Sequence, residues 1–447
     1  MRTAVDRLHG ETCDLLVLGG STFAAALAWQ AATAGLRTVL AAEGDMPSAT
    51  AVRGRTWLEA APALGGVSPA AFDEALAERE RLLRRVAPFV RPAAVAVALP
   101  AAGSARMLLR QLRRAPSSTL PPPELVAGGA GRRIAGFDGV VDEPALARAL
   151  AAAAAALGAH VALHVACVAI EAHGVVLRAR RGDAEARLRA SHVVLAMDDA
   201  PHAAAAALQS ELPGVWREFV EDRSAAPQAR GGGVQAALVE SGLATAIPGE
   251  AHRLCRWLPA AAAAADDAGF FAGAASLGLL DLAPPRRVRG WRPIQAAIAP
   301  IAGGKLHVWP WHPGNLHAAA AAFLAARLAA RPADLRALGE APAEPMDRLW
   351  RRHGWRAQAA RRHCAVDAAA NELLCPHRPT RRGEVAFAVL EDGAIGFDDV
   401  LRRLDDDGMP CQLPGCVAAA HAAYVRVMGG GEADDLAHAM AAFRAAP

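Results

Sequence analysis

The front of the chain places a helix-like stretch between two apolar runs. The runs occupy residues 13–18 and 36–42, and the stretch between them, residues 21–34, is rich in alanine and other good helix formers. Short apolar runs of this kind, bounded by glycines, are typical of strands buried in a parallel sheet. The pattern therefore predicts a strand, turn, helix and strand in that order, as in doubly wound α/β folds.

The hydrophobic pattern also predicts the elements in the remainder of the chain. It predicts helices at 72–86, 143–157 and 317–330, and strands at 160–171, 174–180, 191–196 and 289–311. Residues 201–285 lose both periodicities and are read as a smaller, inserted cap. Residues 336–447 read as mostly helical. We therefore predict an α/β domain over 1–335, with a discontinuous sheet and a reduced cap at about 201–285, followed by a helical domain over 336–447.

Composition narrows the class of protein. The chain has 447 residues, enough for two or three structural units, and 53% of them are hydrophobic, which excludes disorder throughout. The formal net charge is +3, which gives no basis for binding nucleic acid. Seven cysteines without regular spacing predict reduced thiols in a cytoplasmic setting. No signal peptide and no membrane-spanning run is expected.

The turn after the first predicted strand resembles a dinucleotide-binding fingerprint. Its three small-residue positions are Gly19, Ser21 and Ala24, with Gly20 between the first two. Gly19 and Ala24 suit the tight turn and the close packing of helix on strand, whereas Ser21 adds a side chain where a pyrophosphate would approach. Glu43 ends the second strand at roughly the 20-residue offset of a ribose-binding acid. An ordinary strand–helix–strand turn without a ligand is the alternative.

Longer stretches, in the same order along the chain, resemble the FAD-dependent glycerol-3-phosphate dehydrogenases. These stretches are residues 14–20, 34–37, 43–45, 74–80, 137–143, 290–293, 303–306, 384–389 and 398–403. The resemblance implies a flavin domain, a substrate cap and a helical C-terminal domain. It also implies oxidation of glycerol 3-phosphate to dihydroxyacetone phosphate, with FAD as cofactor and a quinone at a membrane surface as electron acceptor. A cytoplasmic protein, peripheral to the inner membrane, is the corresponding location, and a homo-oligomer is left open.

The resemblance also assigns roles to single residues. Arg292 and Lys305 would face the substrate phosphate or the pocket on the flavin side; arginine binds a phosphate through two parallel hydrogen bonds, and lysine binds it as a point charge. Lys305 is the only lysine in the chain, which supports a geometric need, although an incidental surface cation is the alternative. Thr50, Gly303 and Gly304 join the fingerprint residues at the cofactor.

Several family features are missing. The family's His-Gly-Gly-Leu-Arg-Tyr block beside the flavin has no counterpart, and Ala196-Met197-Asp198-Asp199 replaces its Ala-Thr-Gly turn. His307 and His312 lie in the right neighbourhood for a general base, but packed or surface histidines are the alternative. A second hypothesis follows: a homologue that has lost catalysis and acts as a partner or regulatory subunit.

A cluster of histidines and cysteines near residue 370 offers possible metal ligands. His363 and Cys364, with Cys375 and His377, offer four ligands within a short span, but their spacing matches no usual zinc motif. We expect no metal in this protein.

Overall fold

The structure is a computed structural model, and it separates into two compact units. They are residues Thr3–Leu338, and Gly339–Pro447 with Met1–Arg2. The described residues are 4–46, 55–56, 69–85, 89–98, 108–110, 112–113, 120, 122–128, 131–171, 174–180, 183–196, 214–222, 234–239, 242–246, 252–259, 286–293, 296–301, 304–309, 316–331, 349, 353, 357–375, 380–394, 396–404 and 414–428.

The first sheet of the larger unit has the strand order β16-β17-β10-β1-β2-β7, with β8 and β9 extending from β10; the strands from β17 to β7 are parallel, and β16 is antiparallel to β17. Its strands are β1 (Thr12–Leu18), β2 (Thr38–Ala42), β7 (His160–Leu163), β8 (Val165–Glu171), β9 (Gly174–Ala179), β10 (Glu185–Leu195), β16 (Ala297–Ile301) and β17 (Gly304–Val308). β1 pairs in parallel with β2 and β10, and β10 with β17. This is the predicted doubly wound core.

The apolar runs of the sequence form the interior of this sheet. β2 is buried at all five positions, as expected for a strand covered on both faces. One face packs on β8 and β9 through a cluster that includes Leu16, Val39 and Val193. The other face receives helices, because Phe323 of helix α4 (Leu316–Leu328) lies edge-on to His307 of β17.

A second sheet in the same unit has nine strands, in the order β15-β11-β14-β13-β12-β4-β6-β3, with β5 on β6. These strands are β3 (Arg55–Thr56), β4 (Val90–Ala98), β5 (Glu124–Gly128), β6 (Gly131–Val141), β11 (Gly214–Asp222), β12 (Val234–Val239), β13 (Gly242–Ala246), β14 (His252–Pro259) and β15 (Arg286–Pro293). Four of them, β11 to β14, lie in the region that we predicted as a reduced cap with little regular structure. That region is therefore rich in strands, and it shares its sheet with β4 and β6 from before residue 142.

Helices α1 (Thr22–Thr33), α2 (Pro69–Arg85) and α3 (Glu143–Ala156) complete the larger unit together with α4. α1 is buried at eleven of its twelve positions, because its alanines let it pack between its neighbours α3 and α4. The predicted ranges of α2, α3 and α4 agree with these to within a few residues. No helix among the described residues is long and apolar enough to cross a membrane.

The smaller unit contains α5 (Ala357–Cys364), α6 (Arg382–Leu390), α7 (Phe397–Arg403) and α8 (Pro414–Val427), with the short pair β18 (Leu373–Cys375) and β19 (Thr380–Arg381). Gly383 lies against the end of α5, where a Cβ atom would stand 2.5 Å from the Cα of Cys364. His363 contacts Glu391, with 2.8 Å between Nε2 and Oε1. His377 lies outside the described residues.

Candidate functional site

The turn after β1 has the backbone geometry of a tight, glycine-dependent turn. Gly19 has a φ of 140°, a backbone conformation that residues other than glycine rarely adopt. Its N–H donates to the carbonyl of Ala41 in β2 over 2.8 Å. The turn is therefore fixed to the carboxyl end of the neighbouring strand, where open α/β sheets bind their ligands.

Ser21 occupies the middle position of the fingerprint and caps α1. Its Oγ accepts from the N–H of Ala24 over 3.0 Å and donates to the carbonyl of Ala196 over 2.6 Å. Ala196 follows β10 directly, and its own N–H donates to the carbonyl of Leu18 at the end of β1. The serine hydroxyl is therefore used within the turn, where it joins the ends of β1 and β10 to the start of α1.

Thr22, at the first helical position of α1, carries a buried polar atom for which the described part of the chain offers no partner. Its side chain is 1% exposed, and its Oγ1 has no hydrogen bond among the residues that the structure describes. The first turn of α1 contains no acidic residue. A helix start of this kind, with the positive end of the helix dipole, favours an anion such as a pyrophosphate.

Glu43 stands at the same edge of the sheet, directly after β2. It is partly buried, and its carbonyl receives a long contact of 3.5 Å from Nη1 of Arg180. Gly44, the next residue, accepts from the N–H of His164 over 3.1 Å. These bonds hold the segment after β2 against the junction of β7 with β8 and the end of β9, so the glutamate is at the place where a dinucleotide fold puts its ribose-binding acid.

These residues together fit the dinucleotide portion of FAD. A diphosphate suits the tight turn at Gly19 and the first turn of α1, which contains no acidic residue. The Thr22 hydroxyl, which has no partner among the described residues, is available to the same group, and the Glu43 carboxylate suits a ribose. Ser21 does not compete for the phosphate with its hydroxyl, since both of that group's hydrogen bonds are made inside the protein. The structure brings together Gly19, Gly20, Ser21, Ala24 and Glu43 of the predicted site.

Lys305 lies away from this edge. Its backbone pairs with His192, which pairs with Leu15 of β1, whereas Val308 is level with Leu18 at the carboxyl end. Three residues of strand separate these two levels, a distance of about 10 Å along the strand. The side chain of Lys305 is exposed. The structure therefore places Lys305 in the amino-terminal half of the sheet and does not bring it together with Gly19.

His192 and His307 form a pair beside Lys305. The distance from Nδ1 of His192 to Nε2 of His307 is 2.9 Å, so one imidazole donates to the other. His307 is 1% exposed, and its Nδ1 has no partner within the described ranges. Burial, then His192, Arg327 and Lys305, lower the pKa of His307 to about 4. His307 is thus a neutral residue packed in the interior, as the alternative to a general base expects.

The pKa of His192 is also lowered, first by burial and then by Lys305, while Asp14 acts in the opposite direction. Sequence reasoning missed this pair, because no spacing rule connects positions 192 and 307. It also missed Thr22, whose only signal was its place directly after the fingerprint serine.

The other predicted site residues lie elsewhere. The backbone of Arg292 is in β15, opposite Val215, and so belongs to the second sheet, whereas Lys305 belongs to the first. Gly304 begins β17, where a Cβ would stand 2.3 Å from the carbonyl oxygen of Ala190. Its glycine serves close strand packing. Thr50, Gly303 and His312 lie outside the described residues, so their roles stay predictions.

The fold has counterparts among solved structures. The X-ray structure of glycerol-3-phosphate dehydrogenase from Bacillus halodurans, complexed with FAD, matches over 98% of this chain and 95% of its own, with 15% identity and a TM-score of 0.65. This chain has the fold of that dehydrogenase. The predicted α/β class is confirmed. No protein-family model matches the chain, and no curated protein is significantly similar to it in sequence.

Two other enzymes match over a smaller part of the chain. Glycine oxidase from Geobacillus kaustophilus matches over 75% of this chain and 100% of its own, with 18% identity and a TM-score of 0.50. L-proline dehydrogenase from P. horikoshii matches over 73% and 96%, with 13% identity and a TM-score of 0.50. At these identities the likeness concerns the fold.

Proposed function

We propose that this protein is an FAD-dependent oxidoreductase. The observation that carries the proposal is a likeness over nearly the full length of both chains to a glycerol-3-phosphate dehydrogenase complexed with FAD. The geometry at the carboxyl edge of the first sheet supports it independently. There a tight turn at Gly19, an acid-free helix start and Glu43 offer the groups that a dinucleotide needs.

The residues of this edge would divide the work of holding the cofactor. The first turn of α1 would bind the diphosphate through its N–H groups, and the Glu43 carboxylate would accept hydrogen bonds from the ribose hydroxyls. Ser21 would hold the turn in shape through its bonds to Ala24 and Ala196. Bound FAD would supply the acceptor for a hydride from the substrate carbon.

For the substrate we propose glycerol 3-phosphate or a related polyol phosphate. The match to glycerol-3-phosphate dehydrogenase extends over 98% of this chain, whereas glycine oxidase and L-proline dehydrogenase match over only 75% and 73%. The greater extent of the first match supports the phosphate-containing substrate. Arg292 remains the proposed phosphate ligand. Lys305 is the weaker candidate, because it is displaced toward the amino half of its strand.

A protein that keeps the fold without turnover is the second candidate, and Ser21 favours it. Its Cβ and Oγ occupy a position where a glycine would let a pyrophosphate approach the backbone most closely. Function depends on the site and not on the fold, so a single added side chain at this position could remove the cofactor and leave the architecture intact.

An FAD titration of the purified protein decides between the two candidates. The apoprotein is mixed with increasing FAD, and binding is followed through quenching of flavin fluorescence and the change in the visible spectrum. Saturable binding supports the oxidoreductase. If a preparation whose circular dichroism shows a folded protein binds no FAD, the oxidoreductase proposal is wrong, and the non-catalytic partner or regulatory subunit remains.

Anaerobic addition of candidate substrates then tests the chemistry. Bleaching of the bound flavin by glycerol 3-phosphate, with no bleaching by glycine or L-proline, is the expected result. Bleaching by either amino acid alone would replace the polyol phosphate with an amine substrate. A flavin that none of the three reduces would identify a flavin-binding protein without this activity.

A further inference from the structure

A buried ion pair joins helix α2 to strand β6. Nη1 of Arg79 donates to Oδ1 of Asp138 over 3.1 Å, and the two side chains are 5% and 2% exposed. The same Oδ1 accepts from the N–H of Gly139 over 2.9 Å. Nη2 of Arg79 donates to Oε1 of Glu80 over 3.3 Å. The pair lies in the two stretches, residues 74–80 and 137–143, that carried part of the family resemblance, and the fold brings them into contact.

Stability alone does not account for this pair. Removing two charges from water is costly, and a well-packed apolar pair of similar size commonly stabilises a protein as much or more. The surroundings are suited to such a replacement, because Ile134 and Val140 on β6 and Leu76 on α2 are all buried. What the ion pair adds over apolar contacts is direction, since a charge-assisted hydrogen bond fixes the two backbones in one register.

The end of β6 leads to the edge of the first sheet where we place the cofactor. Asp142 follows β6 and caps α3, with its Oδ1 accepting from the N–H of Ala145 over 3.0 Å. The N–H of Asp142 donates to the carbonyl of Phe89, just before β4, over 2.8 Å. Asp138 thus lies four residues before Asp142, the residue that caps α3.

α3 and α1 run side by side in the same direction. α3 ends at the turn that leads into the amino end of β7, and α1 begins at the carboxyl end of β1. Both β7 and β1 are parallel to β2. The first turn of α3 therefore lies on the side of the sheet where α1 begins, and the two helices pack along their lengths.

We propose that Arg79 and Asp138 are positioning residues for the FAD site: the ion pair fixes the end of β6, and through Asp142 it sets α3 against the first turn of α1. This inference rests on the proposed function. Both side chains would act through the placement of the helix that supports the diphosphate, without contacting the cofactor themselves.

The test removes both charges and keeps the size and one hydrogen bond. In the double variant Arg79→Met/Asp138→Asn, the asparagine amide oxygen can still accept from the N–H of Gly139. The matched control is Arg37→Met/Asp14→Asn, the same exchange at an exposed ion pair where Nη2 of Arg37 donates to Oδ1 of Asp14 over 2.8 Å. That pair lies at the amino end of the first sheet, away from the proposed cofactor edge.

The expected result is a folded Arg79→Met/Asp138→Asn protein with wild-type thermal stability or better and an FAD Kd raised at least tenfold, about 1.4 kcal/mol. The visible circular dichroism of its bound flavin should change as well. Arg79→Lys keeps the charge but not the planar group that contacts both Asp138 and Glu80. Its Kd for FAD should therefore lie between those of the wild type and the double variant. The control should bind FAD as the wild type does.

Three outcomes would overturn the proposal, and they can be told apart. Wild-type protein that binds no FAD removes the proposed function and this inference with it. A double variant that binds FAD with wild-type affinity overturns the inference alone. A double variant that fails to fold, while the control folds, assigns the ion pair to stability and not to positioning.

Discussion

The two ends of the first sheet carry polar groups of different kinds. At the carboxyl end, Ser21 makes hydrogen bonds to Ala24 and Ala196, and Thr22 has a buried hydroxyl without a partner among the described residues. In the amino half, Lys305 stands beside the imidazole pair of His192 and His307. The first arrangement leaves the Thr22 hydroxyl available to an anion, whereas in the second the two imidazoles bond to each other, and Nδ1 of His307 has no partner within the described ranges.

The difference shows why a charged residue in a matching motif is a weak guide to a binding site. Lys305 was the most conspicuous residue of the sequence, yet its strand register sets it about 10 Å along the strand from the carboxyl edge. The groups described at that edge include the backbone of the Gly19 turn, the hydroxyls of Ser21 and Thr22 and the carboxylate of Glu43. We therefore expect changes in the amino half to alter stability, and changes at the carboxyl edge to alter FAD binding.

The largest effect is expected for Gly304→Ala. A Cβ at this position would stand 2.3 Å from the carbonyl oxygen of Ala190 and 2.6 Å from that of Ser191, and both obstacles are backbone. The free energy of unfolding should fall by about 3 kcal/mol, measured by urea denaturation. Gly44→Ala is the control, since no atom lies within 4 Å of its Cβ, and it should change stability by less than about 0.5 kcal/mol. Equal effects would contradict the close strand packing.

A second large effect is expected for pH in the amino half. The pKa of His307 is held at about 4 in the folded protein, below its ordinary value of 6.5, by burial and by His192, Arg327 and Lys305. The unfolded chain therefore binds more protons, so stability falls as the pH drops from about 6.5 toward 4. The loss should be on the order of 2 kcal/mol.

His307→Leu isolates this contribution from the other titrating groups. The variant should lose less stability than the wild type between pH 7 and pH 4, with urea denaturation as the measurement. Identical pH profiles for the two proteins would show that the histidine pair does not resist protonation.

Ser21→Ala tests the carboxyl edge. The variant loses the cap of α1 and leaves the carbonyl of Ala196 without this donor, so the free energy of unfolding should fall by about 2 kcal/mol. Ser21→Gly should lose stability as well but bind FAD more tightly, because the backbone becomes open to the diphosphate. Thermal denaturation and FAD titration measure the two effects. Weaker FAD binding by Ser21→Gly would make the hydroxyl itself part of the cofactor site.

The smallest effect on stability is expected for Thr22→Val, which exchanges the hydroxyl for a methyl group of similar size. Since the buried Oγ1 has no partner in the described part of the chain, stability should rise by up to about 1 kcal/mol. FAD binding should become weaker if the hydroxyl serves the ligand. A variant that loses stability and keeps its FAD affinity would place the threonine in the structural group with Ser21.

The sequence predicted the first sheet better than the second, and the reason is physical. Strands β1 and β2 are buried on both faces, and their apolar runs stand out from the glycines around them. Strands β12 and β13 are short and rich in alanine and glycine, residues of low strand propensity, and in β11 and β14 charged residues interrupt the apolar ones. Those strands form because partners distant in sequence supply the hydrogen bonds, as β12 pairs with β4 and β11 with β15.

The sequence by itself determined the fingerprint turn, its helix and the acid at residue 43, because these depend on residues close together along the chain. Tertiary structure alone decided the partners of Ser21, the meeting of His192 with His307 and that of Arg79 with Asp138. It also decided the level of Lys305 along the sheet. Each depends on strand register and helix packing between segments far apart in sequence, which the pattern of neighbouring residues does not encode.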